Sequence, residues 1–400
     1  MDNNLLFITS HFYPNGSIVE AKNNYLSVLE LERYGFKVDV AAPFEVQAYP
    51  ENVKFLFKCK SRTTFKAQLA RYIRKAFKIP CLPIRFDDVS SIIVGLQNVK
   101  LSNYTYMYTV FGNGSEHIAG LKLKKKNPHI KWIAEFRDPW VHNKLIKKYL
   151  FDNSFYWYAE YQWKKLYKAE SMVLMNVDML LVESSYHGEL IKRDFGYTKV
   201  IHTCNGYSDK FMPDIPMLDV DFLCRPVIGF IGSTYYGYDN VAGTFVHVLE
   251  ELESEGFDFT FVSVGNNAFS KLALTSSCKN FYAFHKVPYL KSQAFINNLT
   301  YGLAITMESY PNHVNSKIFE YMQFKKPTLA IAPKGGAMEA ILKSANAGSI
   351  VSYHKEEMKN QLRKIIQKPS LLEIGLNSHH VKAYDRKEVF KNIVRGIKEL

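Results

Sequence analysis

The residue types and spacing best suited to chemistry lie in residues 315–323, NSKIFEYMQ. Lys317 and Glu320 stand three apart and share one face of a helix. Ile318, Phe319 and Met322 form its apolar face, and Asn315 is suited to cap its start. A helix N-terminus offers free N–H groups and partial positive charge, which suits a diphosphate. A carboxylate one turn further on can accept hydrogen bonds from two ribose hydroxyls. The same spacing also describes a solvated Lys–Glu pair on an ordinary surface helix. Asp138, in EFRDPW at 135–140, follows an apolar run that reads as a strand, so it stands at a strand's carboxyl end. There it would orient a hydroxyl or stabilise positive charge, or else brace Arg137 in a turn. His117 follows FGNGSE at a helix start and is either a ligand-facing group or a core histidine. Gly112 and Gly114 begin a dinucleotide fingerprint, but the third glycine would fall at His117, which disfavours NAD.

The elements that must position these residues recur as a strand-helix alternation. Apolar runs at 5–9, 36–42, 104–111, 130–136, 177–182 and 199–204 read as strands buried on both faces. Helical periodicity falls between them at 21–34, 116–124 and 185–192. Residues 206–225 break the rhythm with prolines and aspartates and read as a linker. The alternation then restarts, with strands at 227–231, 257–264, 280–284, 302–306 and 327–332. Helices are expected at 240–255, 288–299, 316–323, 336–344 and 385–399. The pattern predicts an α/β chain of two doubly wound, Rossmann-like domains facing a cleft. These would span 1–205 and 226–380, with a C-terminal helix in 381–400 packing back on the first.

Composition bounds the rest. The chain has 400 residues, 47% hydrophobic and 22% charged, which excludes a disordered or fibrous protein. Its net charge of +13 is uneven: residues 1–205 hold 29 basic and 19 acidic groups, so the first half attracts an anionic partner. The five cysteines form no CxxC pair, which argues against a zinc module or disulfide scaffold and for a reducing compartment. No run of 18 apolar residues exists to span a membrane, and the N-terminus reads as a first strand.

Several segments together resemble the two-domain (GT-B) glycosyltransferases, in particular the retaining family 4. SYPNHVNSKIFEYMQFKKPTLA is similar to the family's nucleotide-binding motif, and HFYPNGSIVEAKNN to its first glycine-bearing loop. EFRDPW resembles the FRDPW signature of a polysaccharide-making subgroup, and CNGYSDKF the segment before the interdomain linker. The resemblance implies a nucleotide-sugar donor with Glu320 on its ribose, and Gly16 near the donor. Where relatives carry a first Glu, this chain has Asn312; where many carry Arg and Lys after the second domain's first strand, it has GFIGSTYYGYDN. Lys317 and the amides of Gly232 and Ser233 would then hold the diphosphate. His117 would face the donor and Asp138 the acceptor. The resemblance further implies retention at the anomeric carbon, no metal and no cofactor.

Two stretches point to a membrane surface. Residues 58–78 hold eight Lys or Arg and no acid, with Phe65, Leu69, Ile73 and Phe77 every four residues. Such a basic amphipathic helix suits anionic headgroups, with Arg71, Arg74 and Lys75 facing them. Residues 149–167 carry nine aromatics flanked by lysines, which fits either an interface or core packing. The combined expectation is a cytoplasmic enzyme, peripheral at the inner membrane face. It would transfer sugar to a lipid-linked saccharide acceptor in capsule, lipopolysaccharide or other surface-polysaccharide assembly. A sugar-nucleotide 2-epimerase of the same architecture is the second reading. A basic nucleic-acid-binding protein, suggested by the +13 charge and the aromatics, is the third; against it, the basic residues cluster in one segment and no recognition motif occurs, so nucleic acid is not expected as a partner.

Overall fold

The computed structural model describes residues 3–12, 19–42, 54–55, 72, 86–110, 114–208, 218, 226–234, 237–368 and 379–400. Structural statements here concern those residues. They form two compact units, Met1–Cys204 with Val389–Leu400, and Asn205–Glu388. The division falls at the start of the expected 206–225 linker, most of which lies outside the described residues.

The first unit is built on a parallel sheet of β1 (Asn4–Ile8), β2 (Lys37–Ala41), β3 (Lys54–Phe55), β4 (Tyr106–Val110), β5 (Lys131–Phe136), β6 (Met179–Val182) and β7 (Val200–His202). Their order is β3-β2-β1-β4-β5-β6-β7. The second unit has β8 (Val227–Ile231), β9 (Thr260–Val264), β10 (Phe281–Phe284), β11 (Tyr301–Ile305), β12 (Thr328–Ile331) and β13 (Gly348–Val351), in the order β10-β9-β8-β11-β12-β13. Both sheets follow the doubly wound order, so each reverses its winding beside its first strand, between β1 and β4 and between β8 and β11.

The apolar runs make strands because helices cover both faces. Along β1, Leu5 and Phe7 join the core that holds Val28 and Leu31, while Leu6 and Ile8 join the opposite core with Leu166 and Val173. In β8, Ile228 and Phe230 face one core and Val227 and Ile231 the other. Every residue of β4, β8, β9 and β11 is buried. β13 and the helix Lys355–Gln367 add to the expected series. That helix is charge-rich, but Met358, Leu362, Ile365 and Ile366 form a narrow buried stripe on it.

The last helix, Arg386–Lys398, belongs to the first unit's core. Val389, Phe390, Ile393, Val394 and Ile397 pack with residues of β1, β2 and β4. Ile393 is 1% exposed. Removing its side chain beyond Cβ should therefore destabilise the first unit by about 2–5 kcal/mol. All four tryptophans, Trp132, Trp140, Trp157 and Trp163, lie in that unit. Their fluorescence during denaturant unfolding of Ile393→Ala isolates the effect; a loss below about 1 kcal/mol would place the helix outside the core.

Candidate functional site

In the second unit the chain leaves β8 through Gly232, whose φ of 143° lies in the region that favours glycine. Its N–H donates to the Val264 carbonyl at 2.8 Å, and its carbonyl accepts from Asn267 Nδ2 at 2.9 Å. Asn267 is itself held, its Oδ1 accepting from Ser263 Oγ and from the Ser270 N–H. The turn is thus tied to β9 and the helix behind it. Ser233 follows, exposed to solvent.

The helix Lys317–Gln323 is seated against β8 and β11 by its buried face, Ile318, Phe319, Tyr321 and Met322. Tyr321 Oη lies 3.1 Å from the Leu303 carbonyl and 3.3 Å from that of Gly229. Gly302 in β11 leaves the room for this ring, because a Cβ there would run into it. Asn315 ties the helix start to the strand end: its Nδ2 donates to the Ile305 carbonyl at 3.2 Å and its Oδ1 accepts the Lys317 N–H at 3.1 Å. The first residue before the helix is Ser316, which makes no side-chain cap. Asn315 does that work from one position earlier, as an Asx turn.

Lys317 Nζ stands 3.2 Å from Glu320 Oε2, and Glu320 is only 6% exposed. The pair is therefore no solvated surface contact. The Lys317 stem also crosses Gly232 so closely that a Cβ on that glycine would sit 2.6 Å from Lys317 Cε. Gly232, Asn315, Lys317 and Glu320 thus come together, with Ser233 beside them, at the carboxyl ends of β8 and β11. This is the sheet's switch point, where doubly wound sheets bind ligands. Asn312 is buried. An open pocket of about 550 Å³ in the same unit is lined by Gly237, Asn240, Met307, Glu308, Ser309 and Tyr353, and includes neither Lys317 nor Glu320.

In the first unit, Asp138 is half-buried in the loop that follows β5. That loop is fixed at several points. Trp140 is fully buried and stacks on Phe136, with ring centroids 5.2 Å apart. Arg137 Nε donates to Glu135 Oε1 at 2.7 Å, and Tyr108 Oη donates to Glu135 Oε2 at 2.7 Å. The Val141 N–H donates to Glu170 Oε2 at 2.9 Å. Glu183 follows the neighbouring strand β6. Burial pushes its carboxyl well above the usual range, the charge of Asp138 adds to that, and Arg137 opposes it.

His117 is fully buried, with Nδ1 2.7 Å from Thr109 Oγ1 and its ring stacked on Phe136 at 4.7 Å. Burial lowers its pKa to about 3, so it is neutral at ordinary pH. Sequence reading missed Glu135, Glu183 and the buried Ser10–Glu116 hydrogen bond. The available signal was position: Glu135 is next to last in β5 and Glu183 immediately follows β6. Gly16, Arg71, Arg74 and Lys75 lie outside the described residues, as does nearly all of 58–78.

The aromatic stretch at 149–167 divides in the helix Tyr156–Leu174. Ala159, Leu166, Ala169 and Val173 face inward. Phe155, Tyr156, Trp157 and Tyr161 are 59–78% exposed. No described helix is long and apolar enough to cross a membrane. Cys278 is buried and Cys204 half-buried.

No protein-family model matches the chain, and no curated protein matches it in sequence. Solved structures do match its fold over nearly its whole length. Sucrose-phosphate synthase from Thermosynechococcus elongatus is 13% identical with a TM-score of 0.70, covering 99% of this chain and 98% of that one. WaaG, a glycosyltransferase involved in lipopolysaccharide biosynthesis, is 12% identical with a TM-score of 0.58, covering 97% and 96%. A protein assigned as a UDP-N-acetylglucosamine 2-epimerase in Listeria monocytogenes is 12% identical with a TM-score of 0.58, covering 100% and 96%. The fold is GT-B. At these identities the likeness describes architecture, and the chemistry must come from the residues.

Two buried histidines make acid stability a test of this packing. His117 in the first unit titrates at about 3 and His313 in the second at about 4, both lowered by burial. Unfolded histidine takes up its proton near pH 6.5. Stability is therefore fully present above about pH 6.5 and falls as pH drops toward 4 and 3. At pH 5 each histidine accounts for a loss of about 2 kcal/mol. His117→Gln should flatten the pH dependence of first-unit unfolding, read by tryptophan fluorescence between pH 6.5 and 5. An unchanged slope would show that His117 takes up its proton in the folded protein as it does in the unfolded chain.

Proposed function

We propose that the chain is a glycosyltransferase that takes a nucleotide-diphosphate sugar as donor. The observation that carries this reading is the convergence of Lys317 and Glu320 over Gly232 at the switch point of the second sheet. Lys317 supplies a cation for the diphosphate, whereas the Gly232 amide, expected from the sequence to join it, already donates to the Val264 carbonyl. Glu320 is a buried carboxylate that accepts hydrogen bonds from ribose hydroxyls, and such charge-assisted bonds are roughly twice as strong as neutral ones. The helix has only seven residues, so the side-chain cation, rather than a long helix dipole, is the main source of positive charge.

Asp138 serves the acceptor in this reading. Its loop is held rigid by Trp140 and by the Arg137–Glu135 ion pair, as a positioned carboxylate requires. His117, neutral and stacked on Phe136, supports the same loop. The acceptor is a lipid-linked saccharide in surface-polysaccharide assembly, and transfer proceeds with retention and without a metal or cofactor in the sugar chemistry. The exposed aromatics of the helix Tyr156–Leu174 and the basic segment 58–78 meet an anionic membrane at its inner face.

A second reading, a sugar-nucleotide 2-epimerase, draws support from Asp138 and Glu183. These are two carboxyl groups close enough for one to push the other's titration upward, as acid–base pairs do. Incubation with a panel of nucleotide-sugars and no acceptor separates the two. Formation of an epimeric nucleotide-sugar would favour the epimerase; donor consumption that needs an added saccharide acceptor supports the transferase.

Glu320→Gln should weaken nucleoside-diphosphate binding about tenfold, a loss of roughly 1.4 kcal/mol. Lys317→Ala should weaken the diphosphate more than the nucleoside alone. Asp138→Asn should leave that affinity within about threefold yet cut turnover by roughly a hundredfold. Calorimetry and single-turnover assays on the same preparations check all three, and parental donor binding in both second-unit variants would rule this site out. Sedimentation with vesicles checks the membrane surface. The parent should pellet with anionic vesicles and be partly released by salt, and replacing Trp157 and Tyr161 by Ser should reduce pelleting at equal salt. Equal pelleting with neutral vesicles would remove the electrostatic part.

A further inference from the structure

Away from both constellations, the first unit brings His142, Glu170 and His187 together in its interior. They come from three elements: the loop after β5, the helix Tyr156–Leu174 and the helix Ser185–Phe195. One ligand-capable atom from each lies within 4.8 Å of the other two. Glu170 is fully buried and His187 is 1% exposed. Glu170 uses Oε2 to accept from the Val141 N–H, and its Oε1 has no hydrogen-bond partner among the described residues. The same holds for His142 Nδ1 and for both ring nitrogens of His187. Leaving four such polar atoms buried and unsatisfied is costly, and native interiors rarely tolerate it.

A second feature points the same way. His142 Nε2 stands 2.8 Å from Asp194 Oδ2, and Asp194 is held in turn by Arg193. A carboxylate on the far ring nitrogen makes Nε2 the protonated one and turns the Nδ1 lone pair toward Glu170 and His187. This carboxylate–histidine arrangement is how proteins orient a metal-binding imidazole.

We propose that His142 Nδ1, Glu170 Oε1 and one ring nitrogen of His187 bind a divalent transition metal ion, zinc in the first instance. Two imidazoles and a carboxylate form a donor set that suits zinc, at bonds of about 2.0–2.2 Å. A tetrahedron of that size sets ligand atoms roughly 3.3 Å apart. The three groups therefore need to close by no more than about 1.5 Å, within the range of small side-chain rotations. The fourth position remains for water. The ion would cross-link the loop that carries Asp138 to the two helices behind it, so its role is to hold that loop, not to take part in sugar transfer. It stands or falls independently of the glycosyltransferase reading.

The test uses the full chain purified without a metal-chelating tag. Elemental analysis should find about one zinc per chain. Chelation should lower the melting temperature, and added Zn²⁺ should restore it. Co²⁺ added to the chelated protein should give visible absorption bands, a readout that needs no variant. His187→Gln should abolish the bands and the Zn²⁺-dependent shift. Asp194→Asn, which reaches the three ligands only through the outer nitrogen of His142, should weaken zinc binding by about 10–100-fold. Metal-free protein with neither cobalt bands nor a thermal response to zinc would overturn the proposal. So would full zinc affinity in His187→Gln.

Discussion

A parallel sheet has no solvent-facing side. Its crossovers lay helices over both faces, so the strand interiors are mostly apolar, and a polar side chain there, such as Thr109 of β4, needs buried partners. That constraint governs this chain twice over. β4, β8, β9 and β11 contain no exposed residue, and functional polar groups are pushed to the strand ends. Where the winding reverses, neighbouring crossovers part and open a crevice at the carboxyl edge. Lys317, Glu320 and Gly232 collect at that point in the second unit. Glu135, Asp138 and Glu183 collect along the corresponding edge of the first.

Charge at these edges is only partly solvated, which gives each group its character. Glu320 is buried and ion-paired with Lys317. Losing one partner of such a pair is far more damaging than the net worth of the pair suggests. Glu135 is shared between Arg137 and Tyr108 and acts as a brace. Burial drives Glu183 toward its neutral form, with Asp138 adding to the shift and Arg137 opposing it. Three carboxyl groups, Glu320 at the second sheet and Glu135 and Glu183 at the first, thus take different electrical roles because of what surrounds each.

Much of this was legible from the chain alone. The continuous apolar runs located eleven of the strands, for example 5–9 against the observed Asn4–Ile8, because burial on both faces leaves an unbroken signal. The helix with Lys317 and Glu320 was also placed to within a residue. β13 was missed because GSIV is short and weakly apolar. The helix Lys355–Gln367 was missed because its buried stripe is thin and its charges dominate. The aromatics at 149–167 left core and surface open, since ring content does not say which side of a helix faces inward. Glu135 and Glu183 carried only the signal of their position at strand ends. The His142–Glu170–His187 cluster carried none, because its members are far apart in the chain and meet only where the loop after β5 packs with two helices.

The final helix carries a consequence for how the protein is made. The first unit's core needs Val389, Phe390 and Ile393, yet the whole second unit is encoded between those residues and Cys204. At synthesis rates of about 5–20 residues per second, the nascent first unit waits on the order of tens of seconds for its last core element. During that time the ribosome extrudes a complete, separately cored second unit beside an unfinished sheet. The chain therefore cannot mature strictly from its beginning to its end. A ribosome that stalls late releases a finished second unit attached to a first one with an open hydrophobic face, the kind of surface that chaperones and proteases recognise.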